Sequence, residues 1–482
     1  MELHQRLLLS SGLLLAALAA QSADFEGLAR LASQGARVSA AVWDLDSDRT
    51  LAELDAAQRL TPASLSKIVI AAAALDTWPP DTTFATELRA AVAPQGDTLA
   101  GNLVLRGSGD ATLDETTLWA LAAQLRSAGI RRITGKLVVE RAPFGELGCD
   151  TIDRCGALRR SARAYNAAPS AIGVNYGSWC VAIRGTTTGQ PARVGGCATG
   201  DLPVPLTGRV STAAGGTPRV ERVTDERGDA LAVGGSIIPG ELRQVHRAMS
   251  DPAAGAGQIL RSILQQAGVS VGTVETTLAV PNAVQVLAHV DGLPLQEQVG
   301  RMMRWSNNYI ADVLTMGVAL ERRHLAAPSL ADASLELVKL VRGAALQPVT
   351  AMETTPPVML SGSGLTTENR LSALDFIGVL RREYRDSRRF PAFYGSFVVP
   401  RDASFAYLQR GGADWLDRVA LKTGSLTEPV SVNGIAGYLR KKNGGFMAFA
   451  IIVNGSERLR EIPHERALGT ARSDLEVLLA RF

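Results

Sequence analysis

The chain has 482 residues, 46% of them hydrophobic, and a formal net charge of +3 at pH 7. That length buries a sizeable core divided over two or three domains. The small net charge argues against a nucleic-acid protein, which would show a basic stripe with interleaved aromatics. At the N-terminus, Arg6 precedes the apolar run Leu7–Ala20, which ends in small residues; Ala17-Leu18-Ala19 fits a cleavage site. Residues 1–20 read as a secretory signal peptide, too short to anchor well in a bilayer; the competing readings are an uncleaved anchor and a first core helix. The expected location is therefore periplasmic or otherwise exported. No cysteine stands directly after the run, as a lipid anchor would need, and the strand-like Phe446–Val453 is the nearest later approach to a membrane span, and it is short.

Val38–Trp43 and Leu51–Leu54 read as strands joined by the turn Asp46-Ser47-Asp48-Arg49. Ser64 opens an apolar helix to about Leu75, with Pro62 just ahead of it, where proline is tolerated. The texture changes from about 84 to 285. Asn102–Leu105 is a strand, followed by the turn Gly107-Ser108-Gly109-Asp110; Leu118–Leu125 is helical and Lys136–Glu140 is a strand. A stretch rich in Gly, Thr and Val, 170–245, reads as a small β subdomain. Asp251–Gly268 returns to helix, capped by Asp251 and stopped by Gly268. The first texture resumes at 286. Leu295–Arg304 and Asn308–Leu320 are helices, and Arg418–Thr423 is a strand. Gly434–Arg440 and Phe446–Asn454 flank the hairpin turn Lys442-Asn443-Gly444-Gly445, and Leu468–Leu479 closes the chain as a helix. The expected fold is α/β (α+β), an antiparallel sheet flanked by helices. The texture places a first domain at 24–83 and 286–482, an α/β insert at 84–169 and 246–285, and the β-rich 170–245 nested inside that insert.

Four cysteines, Cys149, Cys155, Cys180 and Cys197, lie in one stretch. In an oxidising compartment they imply two disulfides with three possible pairings, of which the local pairs Cys149–Cys155 and Cys180–Cys197 are favoured. They lack Cys-x-x-Cys spacing and a nearby histidine, which argues against a metal site.

Three words carry chemistry. In Ser64-Leu65-Ser66-Lys67 the serine and lysine are three apart at a helix start, so they share a face. A serine hydroxyl needs a base within reach, and a lysine serves only when neutral, a state favoured by burial and by a neighbouring cation such as Lys422. Read alone, the word is an ordinary capped helix with a surface lysine, but it is the chain's single Ser-x-x-Lys. Ser306-Asn307-Asn308 precedes an apolar helix and by itself is an N-cap. Functionally, Ser306 can pass a proton to a leaving amine, and Asn308 can hold an amide and the lysine. Lys422-Thr423-Gly424-Ser425 puts a cation and a hydroxyl on a strand beside a glycine that admits another backbone, which suits a terminal carboxylate; its bland reading is a hairpin-edge lysine. The backbone N–H groups of Ser64 and Ser425 would make an oxyanion hole, each donor worth about 3–4 kcal/mol of barrier. The three words in order are far less probable by chance than any one. Gly-x-Ser-x-Gly and His-Glu-x-x-His are both missing, and the five histidines match no catalytic spacing.

This trio resembles the signature of penicillin-binding proteins and class A β-lactamases. Ser64 and Ser306 are 242 positions apart, which implies an insert of about two hundred residues that costs little closure entropy if it folds by itself and that ordinary β-lactamases lack. Gly101–Leu113 resembles the Gly-Asp-Leu…Gly-Ser-Gly-Asp-Pro-Thr-Leu segment, and Ser361-Gly362-Ser363-Gly364-Leu365-Thr366 the Asp-Gly-Ser-Gly-Leu-Ser segment, of the class C low-molecular-mass penicillin-binding proteins, the D-alanyl-D-alanine carboxypeptidase/endopeptidases. Ser361 departs from that family's aspartate, and Asp402-Ala403-Ser404-Phe405 from its Asp-Gly-Thr-Leu. The resemblance implies a transpeptidase-like catalytic domain with nested inserts and an acyl-enzyme on Ser64, formed with Lys67 as base and Ser306 as proton relay. It also implies Lys422 and Thr423 on the substrate carboxylate, peptidoglycan stem peptides ending in D-Ala-D-Ala as substrates, acylation by β-lactams, and no cofactor or metal. The alternatives are a β-lactamase-type hydrolase, told apart by loss of the penicilloyl adduct within seconds, and a non-catalytic peptidoglycan-binding protein, which would bind sacculi and release no D-alanine.

Overall fold

The computed structural model describes residues 23–147, 151, 162–198, 201–346 and 356–482. The signal-peptide reading of 1–20 and the pair Cys149–Cys155 lie outside the described residues. The chain divides into two units: Met1–Pro80, Val299–Ser306 and Ser334–Phe482 form the first, and Asp81–Gln298 and Asn307–Ala333 the second.

The first unit is built on long apolar strands. We label its main elements in chain order: α1 (Glu26–Ser33), β1 (Arg37–Asp44), β2 (Arg49–Leu54), α2 (Ser66–Thr77), α3 (Leu295–Trp305, which belongs to this unit from Val299 on), α4 (Ala373–Tyr384), β3 (Val419–Leu426), β4 (Val432–Arg440), β5 (Phe446–Asn454) and α5 (His464–Arg481). The strands form one antiparallel sheet in the order β3-β4-β5-β1-β2. β4 and β5 are buried on both faces, which is why they read as unbroken apolar runs rather than alternating ones. One face is covered by α5 with α1, the other by α4 with α2. Asp474 of α5 accepts from Gly27 N (3.1 Å) and Leu28 N (2.9 Å), satisfying orphan donors at the start of α1. Ser372 and Asp375 form a reciprocal capping box on α4. α2 is buried on every side from Ser66 to Leu75, as its Ala-rich, apolar circumference requires. The helix begins two residues later than the sequence reading placed it: Ser64 sits in the 3-10 turn Ala63–Leu65, and the α-helix opens at Ser66.

The second unit is centred on a mixed sheet of Val274–Thr277, Leu137–Glu140, Leu103–Gly107, Ala85–Ala90 and Gln285–Asp291, in that order, with the helices Glu115–Ser127 and Pro252–Gln266 packed on it. Asp251 caps the latter through Ala253 N and Ala254 N, both 3.1 Å, with Pro252 in the first turn. A set of small sheets fills 178–248, and the Cys180–Cys197 disulfide ties strand Ser178–Arg184 to the turn after Arg193–Gly196. The helix Asn308–Arg323 clusters with this unit, so the division parts there from the sequence-drawn segment 286–482.

Candidate active site

Ser64 is presented by a strained turn. Ala63, just before it, has φ +49°, a conformation that costs a non-glycine residue about 1–2 kcal/mol. The turn is held from several sides. Leu65 N donates to Pro62 O (3.2 Å), and Asn369 Nδ2 donates to Ser66 Oγ (3.0 Å) and to Ser361 O (2.9 Å). Gly364, at φ +70°, lies so close that a Cβ there would stand 1.9 Å from Ala63 O. Lys67 follows in the first turn of α2, fully buried. Its Nζ donates to Ser64 Oγ (2.9 Å) and to Ser363 O (2.6 Å), while Ser64 itself is only partly buried. Thus the hydroxyl is open to an incoming group, and the amine beside it is shielded from water.

Ser306 directly follows α3 and also has a left-handed backbone, φ +53°. The sequence reading left open that Ser306 is a helix cap. Asn307 takes that part, its side chain accepting from Ile310 N (3.0 Å), which leaves the Ser306 hydroxyl for other partners. Lys422 Nζ donates to Ser306 Oγ (2.9 Å) and to Thr423 O (2.7 Å). Two buried amines therefore each hold one serine hydroxyl within the first unit. Asn308 belongs to the second unit, where its Nδ2 donates to Tyr165 O (3.1 Å).

β3 is the edge strand of its sheet, and Val398 bridges to it at Leu421, just ahead of the motif. Gly424 is dictated by space: a Cβ there would lie 2.8 Å from Pro62 O, 2.9 Å from Leu65 N and 3.1 Å from Ser64 N. The strand thus runs directly against the turn that carries Ser64. Thr423 is half-buried and Ser425 is exposed. A narrow cleft reaches this region, lined by Met303, Arg304, Ser306, Phe405, Lys422 and Thr423 among others. Burial without a carboxylate partner pushes the Lys422 ammonium down to about 7. The expected role of Lys422 as the cation that depresses Lys67 is therefore conditional, because near neutral pH its own charge is only partial. Among the described residues no cluster of His, Cys, Asp and Glu stands ready to hold a metal, and no helix is long and apolar enough to cross a membrane.

Sequence reasoning missed Asn369 and the Ser363 carbonyl. The Ser/Gly-rich stretch 361–364 signals a tight loop, but its partner at Lys67 lies 296 positions away.

An antiparallel sheet flanked by helices, with a serine–lysine pair in a turn packed against the edge strand that carries a second buried lysine, defines a serine enzyme of the penicillin-binding-protein class. The model of the D-Ala-D-Ala carboxypeptidase 3 (S13) family matches residues 17–474, and the chain belongs to that family. It is 29% identical over 443 residues to the D-alanyl-D-alanine carboxypeptidase of Actinomadura sp. (strain R39), covering 88% of this chain and 79% of the relative. Against the D-alanyl-D-alanine carboxypeptidase DacB of Haemophilus influenzae identity is 23% over 431 residues, covering 88% and 86%. The solved structure of penicillin binding protein 4 (dacB) from Haemophilus influenzae superposes with a TM-score of 0.75 at 22% identity, covering 94% of this chain and 99% of that one, which shows the fold.

Proposed function

We propose that the chain is an exported serine D-Ala-D-Ala carboxypeptidase/endopeptidase that acts on peptidoglycan stem peptides and cross-links through an acyl-enzyme on Ser64. The observation that carries this reading is the 2.9 Å contact of the buried Lys67 amine with the Ser64 hydroxyl. Ser64 Oγ attacks the carbonyl between the two D-alanines while neutral Lys67 takes its proton. The backbone N–H groups of Ser64 and Ser425 receive the developing oxyanion. Ser306 passes a proton to the departing amine, and Asn308 holds the substrate amide. Lys422 and Thr423 receive the terminal carboxylate, with Gly424 allowing the close approach of strand and turn. Water then releases the acyl group. The Cys180–Cys197 disulfide supports an oxidising compartment.

A β-lactam presents a strained amide and a carboxylate to the same groups. Intact-mass spectrometry after penicillin treatment is expected to give one adduct on the wild type and none on Ser64→Ala. An adduct on both proteins would overturn the assignment of the nucleophile. Loss of the wild-type adduct within seconds would favour a β-lactamase, and absence of D-alanine release from a stem peptide would favour a binding protein.

A further inference from the structure

We infer that the cleft beside Ser306 and Lys422 is the subsite for the leaving half of a cross-linked stem, where Phe405 lies along the methylene chain of the departing diamino acid and Arg304 meets a carboxylate further along its stem. This rests on the proposed reading of Ser306, Lys422 and Thr423 as the groups that handle the departing residue, and it assigns two residues outside the three sequence words.

Every residue of the cleft's lining belongs to the first unit. The lining includes Ser306, Lys422 and Thr423, and neither Ser64 nor Lys67. The cleft therefore opens from the side that meets the departing amine and carboxylate, not from the acyl side. A departing D-alanine is a methyl group and a carboxylate beside the amine, and Lys422 with Thr423 already accounts for it. Arg304, Phe405 and Leu408 carry the lining past those two residues. In a direct cross-link the departing residue is instead a diamino diacid. It keeps a carboxylate next to the scissile amide, and its methylene chain leads on to a second stem with further carboxylates.

Phe405 is 52% exposed, so much of its ring stands in water on the cleft's wall. The ring is nevertheless fixed. It stacks on Tyr407, with centroids 5.6 Å apart and planes at 24°. The edge of His464 meets the Tyr407 ring at 4.8 Å and 89°, and His464 Nδ1 lies 2.6 Å from Asn433 Oδ1. The backbone is pinned as well: Leu408 N donates to Phe405 O (3.0 Å), and Trp415 Nε1 to Leu408 O (2.8 Å). A ring ordered beforehand loses little freedom when an aliphatic chain covers it. Arg304 stands in the last turn of α3, where the helix dipole favours a cation, and that is its bland account. That account leaves its charge unanswered: among the described residues the exposed guanidinium makes no ion pair or hydrogen bond. Its planar fork fits a carboxylate. Asp402 is the single acid of the lining, and Arg401 beside it pairs with Asp417 and also attracts Asp402. Its carboxylate can accept from the N–H groups of a peptide lying in the cleft.

The test measures steady-state constants on a monomeric stem peptide ending in D-Ala-D-Ala and on a directly cross-linked dimer, both at low ionic strength. The readout is the ratio of kcat/KM, dimer over monomer. Phe405→Ala is expected to lower that ratio about 5- to 10-fold, the worth of a partly exposed ring covered by an aliphatic chain. Arg304→Gln should lower it about 2- to 5-fold, the worth of an exposed ion pair, and the loss should shrink at high salt. Both losses should appear in KM for the dimer rather than in kcat. Arg304→Lys, which keeps the charge, should retain part of the ratio. Arg304 is exposed, so its variants are expected to melt with the wild type and to carry the test even if Phe405→Ala does not fold. A ratio unchanged in Arg304→Gln, or unchanged in a folded Phe405→Ala, would overturn the inference, as would an Arg304→Gln effect of the same size at high salt. A wild type that cleaves the monomer and not the dimer would overturn it too and leave the carboxypeptidase reading standing. A wild type that cleaves neither would overturn that reading itself.

Discussion

Replacing Lys422 with methionine is expected to stabilise the empty protein while destroying its activity. Lys422 is 2% exposed, and its ammonium is held at about 7 rather than the ordinary 10.5. That displacement corresponds to about 5 kcal/mol spent on burying an unneutralised charge. Methionine has nearly the same length and no charge. It forfeits the hydrogen bonds to Ser306 Oγ and Thr423 O, at about 1 kcal/mol each. The net gain at pH 6 is therefore about 2–3 kcal/mol, within the range seen when buried charges are replaced by apolar residues. Unfolded, the lysine binds a proton up to about pH 10.5; folded, only up to about 7. Between these values the unfolded state binds more protons, so wild-type stability rises with pH and the advantage of methionine shrinks.

Scanning calorimetry at pH 6, 8 and 9.5 reads this directly. Lys422→Met should melt roughly 5 °C above wild type at pH 6, with the gap closing towards pH 9.5. A variant that melts below wild type at pH 6, or a gap that does not depend on pH, would refute the account of an uncompensated ammonium in the empty site. The same ionisation governs recognition: kcat/KM for free-acid peptides should fall as pH rises through about 7.

Gly424→Ala drives a methyl group into the backbone of the Ser64 turn, and penicillin acylation followed by stopped flow should slow at least 10-fold, with about 1–3 kcal/mol of stability lost to the forced shift. Asn369→Ala removes the donor to Ser66 Oγ and Ser361 O and the acceptor of Leu360 N, so denaturation should show a loss of about 3 kcal/mol together with slower acylation. Ala63→Gly relieves a left-handed alanine and should cost less than about 1 kcal/mol, whereas Ala72→Gly, equally buried in the middle of α2, should cost about 2 kcal/mol; equal losses would mean that Ala63 carries no strain.

Where local physics decides an element, the sequence alone revealed it. The turn Lys442-Asn443-Gly444-Gly445 connects β4 and β5 because Gly444 takes φ +94°, and Asn-Gly is the strongest short-range hairpin signal. Asp251 and Pro252 start their helix as a cap and a first-turn proline should. The three words were legible because residue type and order alone carry them. What was hidden depends on partners far along the chain. Asn369 is an unremarkable amide until Ser66 is brought to it from 303 positions away. Ser306 gives no hint of φ +53°, since serine has no preference for that region. The neutralising tendency of Lys422 is set by its burial, which no window of sequence measures.

The site concentrates instability. Ala63 and Ser306 adjoin or carry the two hydroxyls in question, and each holds a left-handed backbone costing about 1–2 kcal/mol. Lys422 adds about 5 kcal/mol of charge burial, so the total approaches the whole net stability of an ordinary domain. The doubly buried strands β4 and β5 and the all-apolar helix α2 supply the surplus that tolerates it. Such a site persists only if the instability is relieved by what binds there. A carboxylate reaching Lys422 restores the missing counter-charge and returns the ammonium towards its ordinary ionisation. On the proposed reading, the affinity for that carboxylate and the fragility of the empty site are one free energy seen from two states, and a substitution that removes the fragility removes the affinity with it.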